Sequence, residues 1–348
     1  MELNFRNFKL YVLMMLLFPT SLAAQNSPGH DAVLSVERIW DRAAHNAFTS
    51  MIQFNGKLYC AFREGNGHVS DSNGSIRVIA SEDGQNWESV AFLSELGIDL
   101  RDPQLSITPD NRIMLNIGGS KYTGGKLESM HPKVSFSDNT GKAFSPPRNV
   151  ALDGRIKSEK DWLWRATWHK GKVYAGVYQP TKEKSVQLVV SEDGIKYTFI
   201  TSFDVSHGNE TTLRFRPNDE MVALVRRGKN NPGSLGFSSP PYTTWTWKAL
   251  DKKLGGPDVL LLDDGSILCA SRKYGDKEAK TILMKVALDG TTNTILTLPS
   301  AGDCSYPGLV LKDNMLLVSY YSSHEEKTAI YLARIAYVPT IFDMEEGQ

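Results

Sequence analysis

Two strand-like runs joined by a tight turn recur six times along the chain. The copies are FTSMIQFNGKLYCAFRE, QLSITPDNRIMLNIGG, ATWHKGKVYAGVY, TLRFRPNDEMVALVRR, VLLLDDGSILCASRK and GLVLKDNMLLVSYY. The joining pairs, Asn55-Gly56, Asp110-Asn111, Lys170-Gly171, Asn218-Asp219, Asp264-Gly265 and Asp313-Asn314, are mostly residues that tolerate hairpin dihedrals. A hairpin cannot bury its apolar face alone, so a sixfold register of hairpins points to repeated units packed on one another. A β-sandwich of the same length does not explain a sixfold register.

A second repeat runs out of phase with the first. SEDGQNW, from Ser81 to Trp87, returns as SEDGIKY at Ser191, as FSDNTGKAF around Ser137, and more loosely as FSSPPYTTW around Ser238. The four serines recur at intervals of about 50 residues, the length of a four-stranded propeller blade with loop insertions. Each turn follows a third strand and precedes a fourth. The sixth hairpin is followed by one more strand, TAIYLARIAYV, before the sequence changes character. AVLSVERIW, Ala32 to Trp40, is a strand at the other end with no blade of its own. Pairing the two closes the ring and removes its exposed edges. The expectation is an all-β chain: one six-bladed β-propeller over residues 30–340, closed by an N-terminal strand, with 341–348 as a tail.

The N-terminus carries a charged start with Arg6 and Lys9, the apolar run LYVLMMLLF and the small residues SLAAQ. That order is the order of a secretory signal peptide over residues 1–24, and the apolar run is shorter than the ~20 residues of a spanning helix. Export to the periplasm or the exterior is expected, with no membrane insertion after cleavage. Cys60 and Cys269 lie in apolar strands and Cys304 is read as a loop residue, so the cysteines offer neither a disulfide framework nor a metal-ligand spacing. No cofactor and no metal are expected. Lys+Arg and Asp+Glu both number 39, and this balance gives no electrostatic reason to expect nucleic acid as a partner.

In a propeller the first residues of the innermost strands and the last residues of the second strands meet on one face of the central channel. Those positions hold His45, Asn46, Arg63, Glu64 and His68 in the first blade, Arg101 and Asp102 in the second, and Trp164 and Arg165 in the third. The fourth contributes Glu210, Arg226 and Arg227, the fifth Asp258 and Arg272, and the sixth Tyr306, Tyr320 and Tyr321. Innermost strands are ordinarily lined by small and apolar residues. So many ionisable groups require either pairing or a charged ligand. Arg101 with Asp102 and Arg226 with Glu210 can be read as structural ion pairs as well as binding groups. Trp164 can pack or stack on a sugar, and Tyr306 can stack or react.

The acidic turns resemble the Asp-box of the sialidase and neuraminidase superfamily, where such boxes fix hairpins far from the chemistry; Asp83, Asn139 and Asp193 are therefore set aside. The resemblance extends to NETTLRFRPNDEMVALVRR, a blade opening with Glu210 and ending its second strand in Arg226, and to SYPGLVL, which places Tyr306 at the family's nucleophile position. It implies an exo-acting, retaining glycoside hydrolase that removes a terminal acidic sugar, with Tyr306 as nucleophile and Glu210 as its base. A neutral phenol suits a substrate whose own carboxylate repels a carboxylate nucleophile. The resemblance further implies arginines that clamp the substrate carboxylate: Arg226, more loosely Arg272, with Arg63 and Arg101 able to supply a cation from nearby. The family opens its first blade with Arg-Ile-Pro, and here the position reads His45-Asn46-Ala47. Asp71 or His68 takes the general acid's part. Arg165, Asp258, Asp102 and Trp164 complete the expected substrate-binding set, and the expected partner is an acidic carbohydrate or glycoconjugate. A non-catalytic carbohydrate-binding ring and a protein-binding scaffold are the competing readings.

Overall fold

The computed structural model describes residues 32–69, 74–156, 160–180, 185–228, 230–275 and 278–337. Six sheets, antiparallel except for one outer pair in the third, form six blades. The first blade consists of His45–Phe54, Lys57–Gly65, Ser75–Ser81 and Glu88–Leu93, in that order from the centre outwards. The second is Asp99–Ile107, Ile113–Thr123, Lys126–Phe136 and Arg148–Asn149. In the third, the short pieces Trp162–Leu163 and Thr167–His169 both pair with Lys172–Tyr178, followed by Gln187–Ser191 and Lys196–Ser202, with Ala151–Leu152 added in parallel at the outside. Gly208–Phe215, Met221–Arg227, Ser234–Ser238 and Thr246–Ala249 make the fourth, and Asp258–Leu261, Ile267–Lys273, Lys280–Val286 and Thr292–Thr297 the fifth.

The sixth blade runs Cys304–Lys312, Met315–Ser322 and Ala329–Ala336, and its outermost strand is Val33–Trp40 from the other end of the chain. Val33 lies opposite Ile335 and Trp40 opposite Ile330 in an antiparallel register. The ring is therefore closed by the N-terminal strand, as the unpaired ends of the sequence required. The proposed leader at 1–24, the tail at 341–348 and the bounds 30 and 340 lie outside the described residues.

The local chemistry of the hairpins is as the dipeptides indicate. Asn55, Asn111, Lys170, Asp219, Asp313 and Asn314 all have positive φ, as do Gly56, Gly171 and Gly265. In the outer turns a side chain replaces backbone partners. Asp83 Oδ1 accepts from the N–H groups of Gln85 and Asn86 at 2.8 Å, and Ser81 Oγ accepts from Gly84 N at 2.8 Å. Asp193 and Ser191 repeat this with Ile195, Lys196 and Gly194. In FSDNTGKAF the acceptor is Asp138, which takes N–H groups from Thr140 and Lys142, whereas Asn139 offers only its carbonyl, to Asn55. The sequence alignment on Asn139 is thus corrected by one position, the loop containing an extra residue.

Hydrophobic burial fills the gaps between blades. Ile76, Val78, Leu100 and Leu115 pack between the first and second blades, Val134, Val173 and Val189 between the second and third, and Leu235, Val259 and Ile282 between the fourth and fifth. Each such side chain removed from water contributes about 1.5–3 kcal/mol. Small hydroxyl side chains tie the innermost strands to one another: Thr49 donates to the Tyr306 carbonyl at 2.8 Å, Thr212 to that of Pro257 at 2.6 Å and Thr167 to that of Leu213 at 2.8 Å. Cys60, Cys269 and Cys304 are buried and form no disulfide, and Cys304 opens a strand, where a loop was expected.

Candidate active site

Four of the six innermost strands break register at the same end. The shifts fall between Ala47 and Ser50, Arg101 and Gln104, Gly208 and Thr211, and Ser305 and Gly308. A bulge inserts an unpaired residue and re-aims its side chain. The residues so released include Phe48, Asp102, Glu210 and Tyr306. Phe48 (φ 63°), Asp102 (φ 47°) and Tyr306 (φ 45°) occupy the left-handed region, which Asp tolerates but which is unfavourable for the two bulky aromatic side chains. Gly256 makes the arrangement possible on the fifth blade: it has φ 56°, and a Cβ there would come 2.5 Å from the Tyr306 ring.

Around these bulges a hydrogen-bonded set is assembled. Tyr306 Oη donates to Glu210 Oε1 at 2.6 Å. Arg226 Nη1 reaches both Glu210 oxygens at 2.6 Å and Tyr306 Oη at 3.1 Å, and Gly256 N donates to Glu210 Oε2 at 3.0 Å. The Arg272 guanidinium lies 5.4 Å from the centre of the Tyr306 ring, while Phe48 and Trp164 meet that ring edge-on at 5.4 and 5.8 Å.

The electrostatics separate the two carboxylates. Burial alone would raise the Glu210 carboxyl, but the Arg226 charge and the hydrogen bonds from Arg226, Tyr306 and Gly256 outweigh it and hold the group below its ordinary range. Burial and the neighbouring Glu210 charge push the Tyr306 phenol well above its ordinary value, with Arg226 and Arg272 opposing. At rest the pair is a neutral phenol donating to an ionised carboxylate. Asp102, fully enclosed, is pushed up to about 6 by burial and by Glu210, against the pull of Arg101. The site therefore holds one carboxylate and, in mildly acid solution, one neutral carboxylic acid.

Several expected ligand groups are spent on the scaffold. Arg63 is completely buried and donates to Asp99 at 2.7 Å and to the Gly67 carbonyl at 2.9 Å. Arg165 pairs with Asp258 at 3.2 Å and donates to the Pro307 carbonyl, and Asp258 also takes Arg214 at 2.7 Å and Leu309 N at 3.0 Å. These residues brace the third, fourth, fifth and sixth blades. They have no surface left for a sugar. Trp164 is 1% exposed, so its ring supports Tyr306 and cannot stack on a ligand. Arg63, Arg165, Asp258 and Trp164 are thus corrected from substrate-binding to structural roles, because each was placed by strand position and burial was invisible. Glu64, another rim residue, turns outward to Arg77 and the Trp40 indole. Arg101 lies between, bonded to Tyr122 Oη at 3.1 Å and set over Phe48.

Arg272 reaches the rim but shares itself with the scaffold. It donates to the Cys304 carbonyl through Nε at 2.8 Å and to Tyr321 Oη through Nη2 at 2.9 Å. His68 is half-exposed and holds Asp303 Oδ2 through Nδ1 at 2.7 Å; His45 holds the same oxygen through Nε2 at 2.9 Å. Asp303 was not anticipated, since it stands in a loop before the sixth blade with no motif around it. Phe48 was missed as well, its apolar type giving no hint of the bulge. Asp71 lies outside the described residues.

No family model matches the chain, and no curated protein matches it. Solved structures do. A protein of unknown function from Dyadobacter fermentans superposes with a TM-score of 0.73 at 20% identity, over 88% of this chain and all of the other. Trypanosoma rangeli sialidase, in a complex described as a covalent intermediate with 2,3-difluorosialic acid, superposes with a TM-score of 0.66 at 13% identity over 86% of this chain. The fold is sialidase-like. The Hadza microbial sialidase Hz136 gives a TM-score of 0.67 at 15% identity over 84% of the chain. The sialidase-like ring spans 59% of the Trypanosoma chain and 66% of Hz136.

Proposed function

We propose that the chain is an exo-acting, retaining glycoside hydrolase that removes a terminal acidic sugar, sialic acid or a relative, from glycans. The observation that carries this reading is the contact of Tyr306 with Glu210 at 2.6 Å under Arg226. In the first half-reaction Tyr306 Oη attacks the anomeric carbon while its proton passes to Glu210. The bond to the leaving oxygen breaks and that oxygen takes a proton from a general acid, which we assign to Asp71 from the sequence. In the second, water attacks the glycosyl–tyrosine, Asp71 removes its proton and Glu210 returns one to the phenol. Arg226, with a quarter of its side chain exposed, and Arg272, whose Nη1 carries no bond among the described residues, hold the sugar carboxylate.

The covalent intermediate named for the Trypanosoma enzyme supports the same chemistry on the same fold. We further place the reaction outside the cytoplasm, on the strength of the leader read at residues 1–24. His45 at the family's arginine position favours a second reading, a ring that binds acidic sugars without cleaving them. Both are tested by incubating the mature protein with fluorogenic sialosides and uronides and with a 2,3-difluorinated acidic sugar. Release of fluorophore with labelling of Tyr306 is the expected result. Binding with neither would overturn the hydrolase.

A further inference from the structure

His45, His68 and Asp303 come from the first strand of the ring, the loop after the second and the loop before the sixth blade, and their ligand atoms all lie within 4.8 Å of one another. We propose that they bind a divalent transition-metal cation at the channel rim, with imidazole-preferring Zn2+ as the best-matched ion.

Two imidazoles and one carboxylate are the donor set of open, three-ligand sites, which keep further positions for water or an anionic oxygen. The nitrogens of His45 and His68 stand 2.9 and 2.7 Å from Asp303 Oδ2, and the two rings meet edge-on at 5.9 Å. Ligands about 2.0–2.2 Å from one ion lie roughly 3.0–3.5 Å apart, so each nitrogen has to draw back from Asp303 Oδ2 by a few tenths of an ångström, with the two nitrogens, within 4.8 Å of each other, adjusting to the same ion. His68, half-exposed on its loop, can supply that movement, while His45 is held in the wall with 9% of its side chain exposed.

The carboxylate is oriented as a ligand. Its other oxygen, Oδ1, accepts from Tyr321 Oη at 2.9 Å and from Arg272 at 3.4 Å, which leaves Oδ2 aimed at the two imidazoles. Such outer contacts fix ligand geometry and tune affinity. Arg272 opposes a second cation, but it meets the carboxylate on the side away from the imidazoles. The position is informative too: His45 stands where the resemblance expects an arginine. Building on the acidic-sugar reading, the open positions of the ion would take the substrate carboxylate in that arginine's place.

The test uses the full mature protein, stripped with EDTA and dialysed, then titrated with Co2+ followed by visible absorption and with Zn2+ followed by calorimetry. One saturable equivalent is expected. His68→Ala, an exposed position that should leave thermal unfolding unchanged, is expected to weaken binding by at least 100-fold, and Tyr321→Phe by about 10–100-fold. No saturable uptake by the parent, or equal uptake by the parent and His68→Ala, would overturn the site and show the three groups to be only a hydrogen-bonded cluster. Because this readout contains no sugar, its failure leaves the hydrolase untouched. If the site binds metal yet the stripped protein cleaves or binds acidic sugars at the loaded protein's level, the link to the substrate carboxylate falls.

Discussion

Tyr306 and Glu210 are 96 residues apart in sequence, yet the phenol donates to the carboxylate at 2.6 Å across the channel. Each is released into that contact by a bulge in its own innermost strand. Tyr306→Phe keeps the ring and removes the donor; Glu210→Gln keeps the shape and removes the base. Turnover is expected to fall by orders of magnitude in each. The double variant should be little worse than either single one, because groups acting as one unit are not additive. Parental rates in Tyr306→Phe would exclude the phenol as nucleophile.

Arg226 and Arg272 are expected to select anionic ligands. Replacing Arg272 by Ala would remove the charged hydrogen bond proposed to the sugar carboxylate and should weaken binding by about 1.5–3 kcal/mol. A neutral analogue of the ligand should bind the parent more weakly than the acid does, and this difference should be smaller in the variant, where Arg226 alone remains. Calorimetry on the four combinations checks this, and equal affinity of the parent for both ligands would refute it.

Asp102 should make folding stability depend on pH in an identifiable window. Its carboxyl titrates near 6 in the fold against about 3.9 in an unfolded chain. The native state therefore binds more protons between those values, and stability falls as pH rises through them. Asp102→Asn removes the ionisation. It should raise stability by up to about 2–3 kcal/mol above pH 6, and by little below pH 4. Denaturation of both proteins at pH 4, 5, 6 and 7 gives the comparison; a difference that shrinks with rising pH would contradict it.

Arg63 separates scaffold from site. It pairs with Asp99 at 2.7 Å with neither side chain meaningfully exposed. Removing one member of such a pair leaves a buried charge and costs about 3–5 kcal/mol. Arg63→Ala should therefore lower the denaturation midpoint strongly, whatever its effect on ligand. Unchanged stability with lost affinity would restore Arg63 to the binding site.

The closing strand makes a prediction about assembly. Val33–Trp40 covers the backbone of Ala329–Ala336, so deleting it leaves an unpaired edge. A chain beginning after Trp40 is expected to unfold at lower temperature and to self-associate in light scattering.

Much of the ring was fixed by the sequence alone. Six hairpins with Asn, Asp and Gly at their turns, acidic boxes about one blade apart and a spare strand at each end admit few other arrangements, because turn dihedrals and the burial of alternating faces are local properties. Glu210, Arg226 and Tyr306 were legible for the same reason: each stands at a fixed place in a repeated hairpin. Tertiary structure decided the rest. Arg63, Arg165, Asp258 and Trp164 occupy rim positions in the repeat, yet burial and pairing with neighbouring blades turned them into braces. Phe48 entered the site through a bulge, which changes the face a side chain points to and leaves no mark in the alternation of residue types; Asp102 was a rim residue in the sequence, but its bulge was equally invisible there. Asp303 meets His45 and His68 only because ring closure brings the first and sixth blades together, and a contact between residues some 250 positions apart is set by the packing of the whole ring.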